Sequence, residues 1–208
     1  MKKYSTYMFI TAFLSIIIPT PGRFVFGFTI LLELFLLTII GTSFNYLFPK
    51  LKMNELKTFL LLMTLLTLAV FYRQIFIIWQ TEVAFILGFL FYIPPLSLFL
   101  ITILIEDSTE PFMVQLKHNL KLSAIFCLSG LLLFLFRDIF SFGTFTFFGK
   151  NHMIYEKVIF DSDVTMLLSF CASIPGILIL CGIFLLLIKI IKTKITSIKN
   201  LESHNALS

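Results

Sequence analysis

The chain has 208 residues, 59% of them hydrophobic and only 13% charged, with a mean hydropathy of +1.02. A soluble domain carries about 25% charged residues, and one of this size has no interior large enough for so much apolar side chain, so a water-soluble globular fold is excluded. The net charge of +5 calls for no nucleic-acid partner, because Lys and Arg gather at the ends of apolar runs, as in proteins that cross a lipid bilayer.

Lys2 and Lys3 followed by an apolar run resemble a signal peptide. Pro19 and Pro21 stand where a small-x-small cleavage site belongs, so a retained first segment is expected. Its apolar part, Tyr7 to Ile18, is shorter than the ~20 residues of a full crossing and ends in Pro19-Thr20-Pro21-Gly22. This predicts a half-helix and an irregular turn. Phe24 to Phe48 forms a second span stopped by Pro49, with Glu33 near its middle. Lys50, Lys52 and Lys57 flank the next connection, and a third span runs from about Leu56 to Trp79 with Arg73 near its far end. Gln80-Thr81-Glu82 reads as a turn.

Val83 to Ile105 carries no charge and is long enough to cross a bilayer, yet Pro94-Pro95 sits near its centre. Proline lacks the N–H and clashes with the carbonyl four residues back, and Pro95 pushes Pro94 away from helical geometry. Backbone broken at membrane depth is tolerated only under protein or around a cavity. Two half-helices meeting at a site, or a kink without function, both fit. Glu106, Asp107 and Glu110 close this fourth segment as a solvated acidic connection. Lys117, His118 and Lys121 lead into a fifth span, about Leu120 to Phe136. Arg137 to Asp163 is the longest connection, and its Phe140, Phe142, Phe145, Phe147 and Phe148 suit an interfacial aromatic belt. A sixth span, Val164 to Ile191, contains Pro175-Gly176.

The expected fold is therefore all-α: a polytopic membrane protein of six segments in one domain over residues 1–200, with a flexible basic tail over 196–208. Segments one and four are both Pro-interrupted and each is followed by two spans, so repeats of about 1–80 and 81–195 enter the membrane from opposite sides, the pattern of an inverted repeat. The distribution of Lys and Arg places both termini in the cytoplasm.

The run Leu87–Asp107, LGFLFYIPPLSLFLITILIED, resembles the fourth segment of the small hydrophobic subunits of the Rnf and Na⁺-translocating NADH:quinone reductase (Nqr) complexes, where a G-x-F-x-P-L-I-x-x-N-C motif stands. Phe134–Phe148, FLFRDIFSFGTFTFF, is similar to their Arg-(Glu/Asp)-Ile-x-x-x-Gly-Thr stretch, and Ser173–Lys189 to the Pro-Gly opening of their last helix. The basic C-terminal end is closer to the E-type Rnf (D-type Nqr) members. The resemblance implies an inner-membrane location and two inverted three-helix repeats. It also implies a role in electron transport coupled to Na⁺ or H⁺ movement, beside partner membrane subunits. Pro94, Arg137, Asp138, Gly143, Pro175 and Gly176 match the family motifs, and for Arg137-Asp138 and Gly143 a helix end with a nearby turn glycine is the plainer reading.

The family's shared iron–sulfur cluster takes one Cys from each broken segment. Here Leu100 stands at the fourth-segment position, and Ile18 or Thr20 at the first. None supplies the thiolate such a cluster needs. Cys127, Cys171 and Cys181 match no motif and read as buried apolar residues, while His118, His152 and His204 fall outside the predicted spans. No cofactor is expected, and no catalytic or metal-binding set is visible. Two other roles remain open: a small-solute or cofactor-related transporter, and a scaffold within a membrane complex. Glu33, with Arg73 as partner, is a candidate ion or proton relay, set against a structural ion pair or a protonated Glu. A mid-span carboxylate costs roughly 2.5 to 3.5 kcal/mol to insert, so such groups usually face a bundle interior.

Overall fold

The computed structural model describes residues 13–51, 56–97, 100, 101, 104, 111–150, 152–160, 169–173, 175–183, 186 and 190. Residues 7–12, the acidic connection at 106–110, His204 and the tail at 196–208 lie outside these.

The long apolar runs become long helices. Phe24–Lys50 (α1), Lys57–Trp79 (α2) and Phe112–Arg137 (α5) are each long and apolar enough to cross a membrane, α5 continuing through one π-helical turn, Asp138–Phe142. A bilayer core offers no water to bare N–H and C=O groups, so helices that satisfy their own backbone are what such sequences form. Pro49 falls inside the last turn of α1, and the helix ends two residues later than the proline alone predicts. α5 begins eight residues before the predicted Leu120, because Gln115 and Asn119 are buried against the bundle and carry the helix outward.

α1 and α5 run antiparallel and pack along most of their length. The hydroxyl of Thr38 donates to Ser123 Oγ over 3.1 Å, and Asn119 Nδ2 donates to Thr42 Oγ1 over 3.2 Å. Further along, a Cβ on Gly27 would overlap the Phe134 ring, and one on Gly130 would lie 2.9 Å from Leu31. Small residues thus let the helices close up where aromatic and branched side chains cross, the usual means of helix association in lipid. α2 covers another side of α1 and presents much of its length outward, with Phe59, Phe71, Ile75 and Ile78 exposed, as suits a lipid-facing helix.

Segment four is interrupted, though not where the prolines alone suggest. Helix Thr81–Leu87 (α3) tightens at Gly88, φ +40°, into a 3₁₀ turn, Gly88–Tyr92, followed by one helical turn, Ile93–Leu96 (α4). Pro94 is helical, contrary to the expectation that Pro95 displaces it. At the first turn of a helix the missing N–H has no intrahelical acceptor to serve, so both prolines fit there. The chain leaves helical geometry at Ser97, ψ 135°, where the Ser97 hydroxyl donates to Pro94 O over 2.7 Å. Helical geometry is found again at residues 100, 101 and 104. Segment one holds a π-helical turn, Phe13–Ile17, before its turn at 18–22. The last segment has a 3₁₀ turn, Ser169–Ala172, and a helix from Pro175 through residue 183 (α6).

The long connection is an antiparallel hairpin, a departure from the all-α expectation. Thr144–Phe148 (β1) pairs with Ile154–Val158 (β2), in register from Thr144 opposite Val158 to Phe148 opposite Ile154. The period-2 alternation of TFTFF explains the strand: Thr146 turns inward and is fully buried, while Phe145 and Phe147 share the other face, their rings 6.3 Å apart. The hairpin rests on the N-terminal end of α1 through Phe24, 5.3 Å from Phe145. It also rests on the α2–α3 corner, where Gln80 donates to Gly149 O over 3.1 Å and Ile154 N to Glu82 Oε2 over 2.7 Å. His152 Nδ1 lies 2.8 Å from Trp79 O. These phenylalanines therefore close one end of the bundle by contact with α1 and α2 and do not simply line an interface.

Candidate functional site

Two buried polar centres stand out among the described residues. The first lies under the hairpin. Arg137, at the end of α5, is only 4% exposed. Its Nη1 donates to Thr20 O over 2.9 Å and its Nη2 to Ala172 O over 3.0 Å. One guanidinium thereby holds the turn after segment one against the turn before α6. Its stem presses on Gly22, where a Cβ would come 2.6 Å from Nε.

Asp138 follows directly and is fully buried. Its Oδ2 accepts from Phe24 N at 3.1 Å, Thr146 N at 2.8 Å and Thr146 Oγ1 at 2.7 Å, and its Oδ1 from Thr144 Oγ1 at 3.1 Å. Arg23, at the N-cap of α1, makes no side-chain cap, so the acid of a distant element caps α1 instead. A carboxylate at a helix N-terminus meets both the orphan N–H groups and the positive end of the dipole. Gly143, φ +65°, ends the π turn in the left-handed region that glycine enters freely. Its carbonyl accepts from Ile159 and Phe160. Gly176 lies so close to Phe170 O and Cys171 Cα that no side chain fits. Arg137, Asp138, Gly143 and Gly176 thus serve a single junction, with Arg23 paired to Glu156 at its rim.

The second centre is Glu33. Its side chain is fully buried in the middle of α1, and neither carboxylate oxygen has a hydrogen-bond partner. Arg73 does not form an ion pair with it, and the Arg73 Nε is itself buried without a partner. Tyr72, within electrostatic reach of Glu33, donates its hydroxyl to Thr29 O over 3.0 Å. Glu33 and Arg73 are therefore on neighbouring helices but not joined.

Leu100, Ile18 and Thr20, the positions where the resemblance would expect cluster ligands, make other contacts. Leu100 is fully buried in an apolar cluster with Leu37, Leu61, Leu65 and Leu104. Ile18 packs against the main core, and the Thr20 hydroxyl donates back to Ile16 O over 2.6 Å. Cys127 and Cys181 are buried free thiols and Cys171 is half-buried. Among the described residues no group of three or more His, Cys, Asp or Glu side chains is placed to hold a metal.

Sequence reasoning missed Thr144 and Thr146 as Asp138 partners. It also missed two polar rungs between α1 and α5, Thr38 with Ser123 and Thr42 with Asn119. The polar residues of each helix are four apart, and Thr144 and Thr146 two apart on a strand, which is the signal a reading of polar periodicity would find. These features define a helical protein of the lipid bilayer with a capped end and a buried acid. No protein-family model and no curated protein matches the chain.

Proposed function

We propose that the chain is a non-catalytic membrane subunit of the Rnf/Nqr small-subunit type, serving ion-coupled electron transport beside partners that carry the redox groups. In this reading it has six segments arranged as two inverted three-helix repeats, in a single domain of the inner membrane, with both termini cytoplasmic. One observation carries most weight. Arg137 binds the turn after the first segment and the turn before α6 while Asp138 caps α1, so two of the three stretches behind the resemblance meet at one junction. Charge supports the orientation: Lys50, Lys57, Lys117 and Lys121 lie toward the end of the bundle opposite the hairpin, and positive residues favour the cytoplasmic side.

The chain contributes no iron–sulfur cluster of its own in this reading, since Leu100 and Ile18 offer no ligand atom and the Thr20 hydroxyl is engaged with its own backbone. The tagged protein should be purified from its native membrane in mild detergent and its companions identified by mass spectrometry. Flavin- and iron–sulfur-bearing subunits are expected in stoichiometric amounts. Purification of the chain alone would favour a free-standing transporter, a role to which the unpaired Glu33 is also suited.

A further inference from the structure

Glu33 can be placed against segment four by its neighbours on α1. Thr29 O accepts from Tyr72, whose ring meets Phe91 edge-on at 5.9 Å. Leu37 clusters with Leu100, and Gly41 lies against Leu104. α1 and segment four therefore run parallel and advance together. Glu33 lies one turn from Thr29 and one turn from Leu37 on the same helical face, and this sets it level with the Pro94–Ser97 interruption. Pro94, Pro95 and Ser97 are all buried there.

The interruption supplies acceptors and few donors. The helical donors for the Phe91 carbonyl would come from positions 94 and 95, and both are prolines without an N–H. The Leu90 carbonyl takes the Ile93 N–H, and the Ser97 hydroxyl is already given to Pro94 O. The titratable neighbours do not supply a donor either. Tyr72, on α2, gives its proton to Thr29 O; Cys127, on α5, gives its thiol to Leu31 O over 3.3 Å; Arg73 makes no pair with Glu33. Tyr92 is the titratable residue of segment four between α3 and Ser97, and residues 13–18 contain none. A fully buried carboxyl level with the bared Phe91 carbonyl, with no cation engaged among the described residues, must hold a proton or a bound cation.

We propose that Glu33 and the Phe91 carbonyl, bared by Pro94 and Pro95, bind a monovalent cation, H⁺ or Na⁺, inside the membrane. Unwound backbone in membrane helices binds small cations by the same chemistry. The proposal deepens the ion-movement part of the reading above but stands on packing: missing redox partners would leave it intact, and an inert Glu33 would leave the partner claim intact.

The test uses the full chain in detergent and a hydrophobic carbodiimide, which modifies protonated carboxyls in apolar surroundings, with the labelled residue located by mass spectrometry. Glu33 should be labelled and Glu33→Gln should remove the label. Na⁺ slowing the reaction by about tenfold relative to K⁺ at equal ionic strength assigns Na⁺. Slowing by rising pH with no Na⁺ effect assigns H⁺. Pro95→Ala returns an N–H to the Phe91 carbonyl and should change the labelling rate by about tenfold, the scale set by one buried hydrogen-bonding group. Ser97→Ala probes the same interruption should Pro95→Ala fold poorly. An unlabelled Glu33, or labelling that neither folded variant alters, would overturn the proposal.

Discussion

Asp138 and Glu33 show how differently two buried carboxylates can be treated. Asp138 accepts four hydrogen bonds from two elements, α1 and β1, and each such charge-assisted bond contributes about 1.5 to 3 kcal/mol. Asp138→Ala would uncap α1 and release β1 together, at a cost of ~3 kcal/mol or more. In detergent this should lower the thermal midpoint by about 6 °C or more, while Asp138→Asn, which keeps one acceptor, should lose less. Equal midpoints for wild type and Asp138→Ala would remove Asp138 from the junction. Glu33 was legible in the sequence because an acid inside an apolar run is conspicuous. Its surroundings were not, since helix rotation follows packing that no local pattern encodes. The converse holds for Asp138. Its motif was visible, but its Phe24 partner is 114 residues away and nothing in the local sequence announces that meeting.

The elements differ in how much each contact stabilises. Interhelical hydrogen bonds such as Thr38–Ser123 and Asn119–Thr42 contribute about 0.6 kcal/mol each within a membrane, so Thr38→Val should be nearly silent. Gly27→Val is different, because its side chain must occupy the space of the Phe134 ring. Overpacking of this kind costs about 1 to 3 kcal/mol. Unfolding in mixed micelles should rank Gly27→Val well below Thr38→Val in stability, and the reverse order would assign the α1–α5 contact to its hydroxyls. Long helices were legible from hydropathy alone, with ends correct to within a few residues for α1 and α2. The hairpin was not, because TFTFF lies in a stretch whose bunched Phe residues suggested a membrane interface. The geometry at Pro94 also differed, because a proline at the start of a helical turn is favoured while one in the interior is not.

At the scale of the whole molecule, one end is closed by the hairpin, where Arg23, Lys150 and Lys157 stand with Glu82 and Glu156, and the other bears Lys50, Lys57, Lys117 and Lys121. Single cysteines test which end faces the cytoplasm, in a background with Cys171 replaced. His152→Cys should react with a membrane-impermeant maleimide added outside intact cells, and Lys57→Cys should react only after lysis. The opposite pattern would invert the orientation. In the proposed reading Leu100, Ile18 and Thr20 stand where cluster ligands would. Leu100 lies in an apolar cluster, and Thr20 turns its hydroxyl to its own backbone while lending its carbonyl to Arg137. An interrupted architecture adapted to other contacts is the central claim, and iron content measures it most directly. The purified chain, read together with its visible and EPR spectra, should hold no stoichiometric iron, and in the proposed reading iron should appear only with co-purified partners. A stoichiometric cluster on the isolated chain would contradict it.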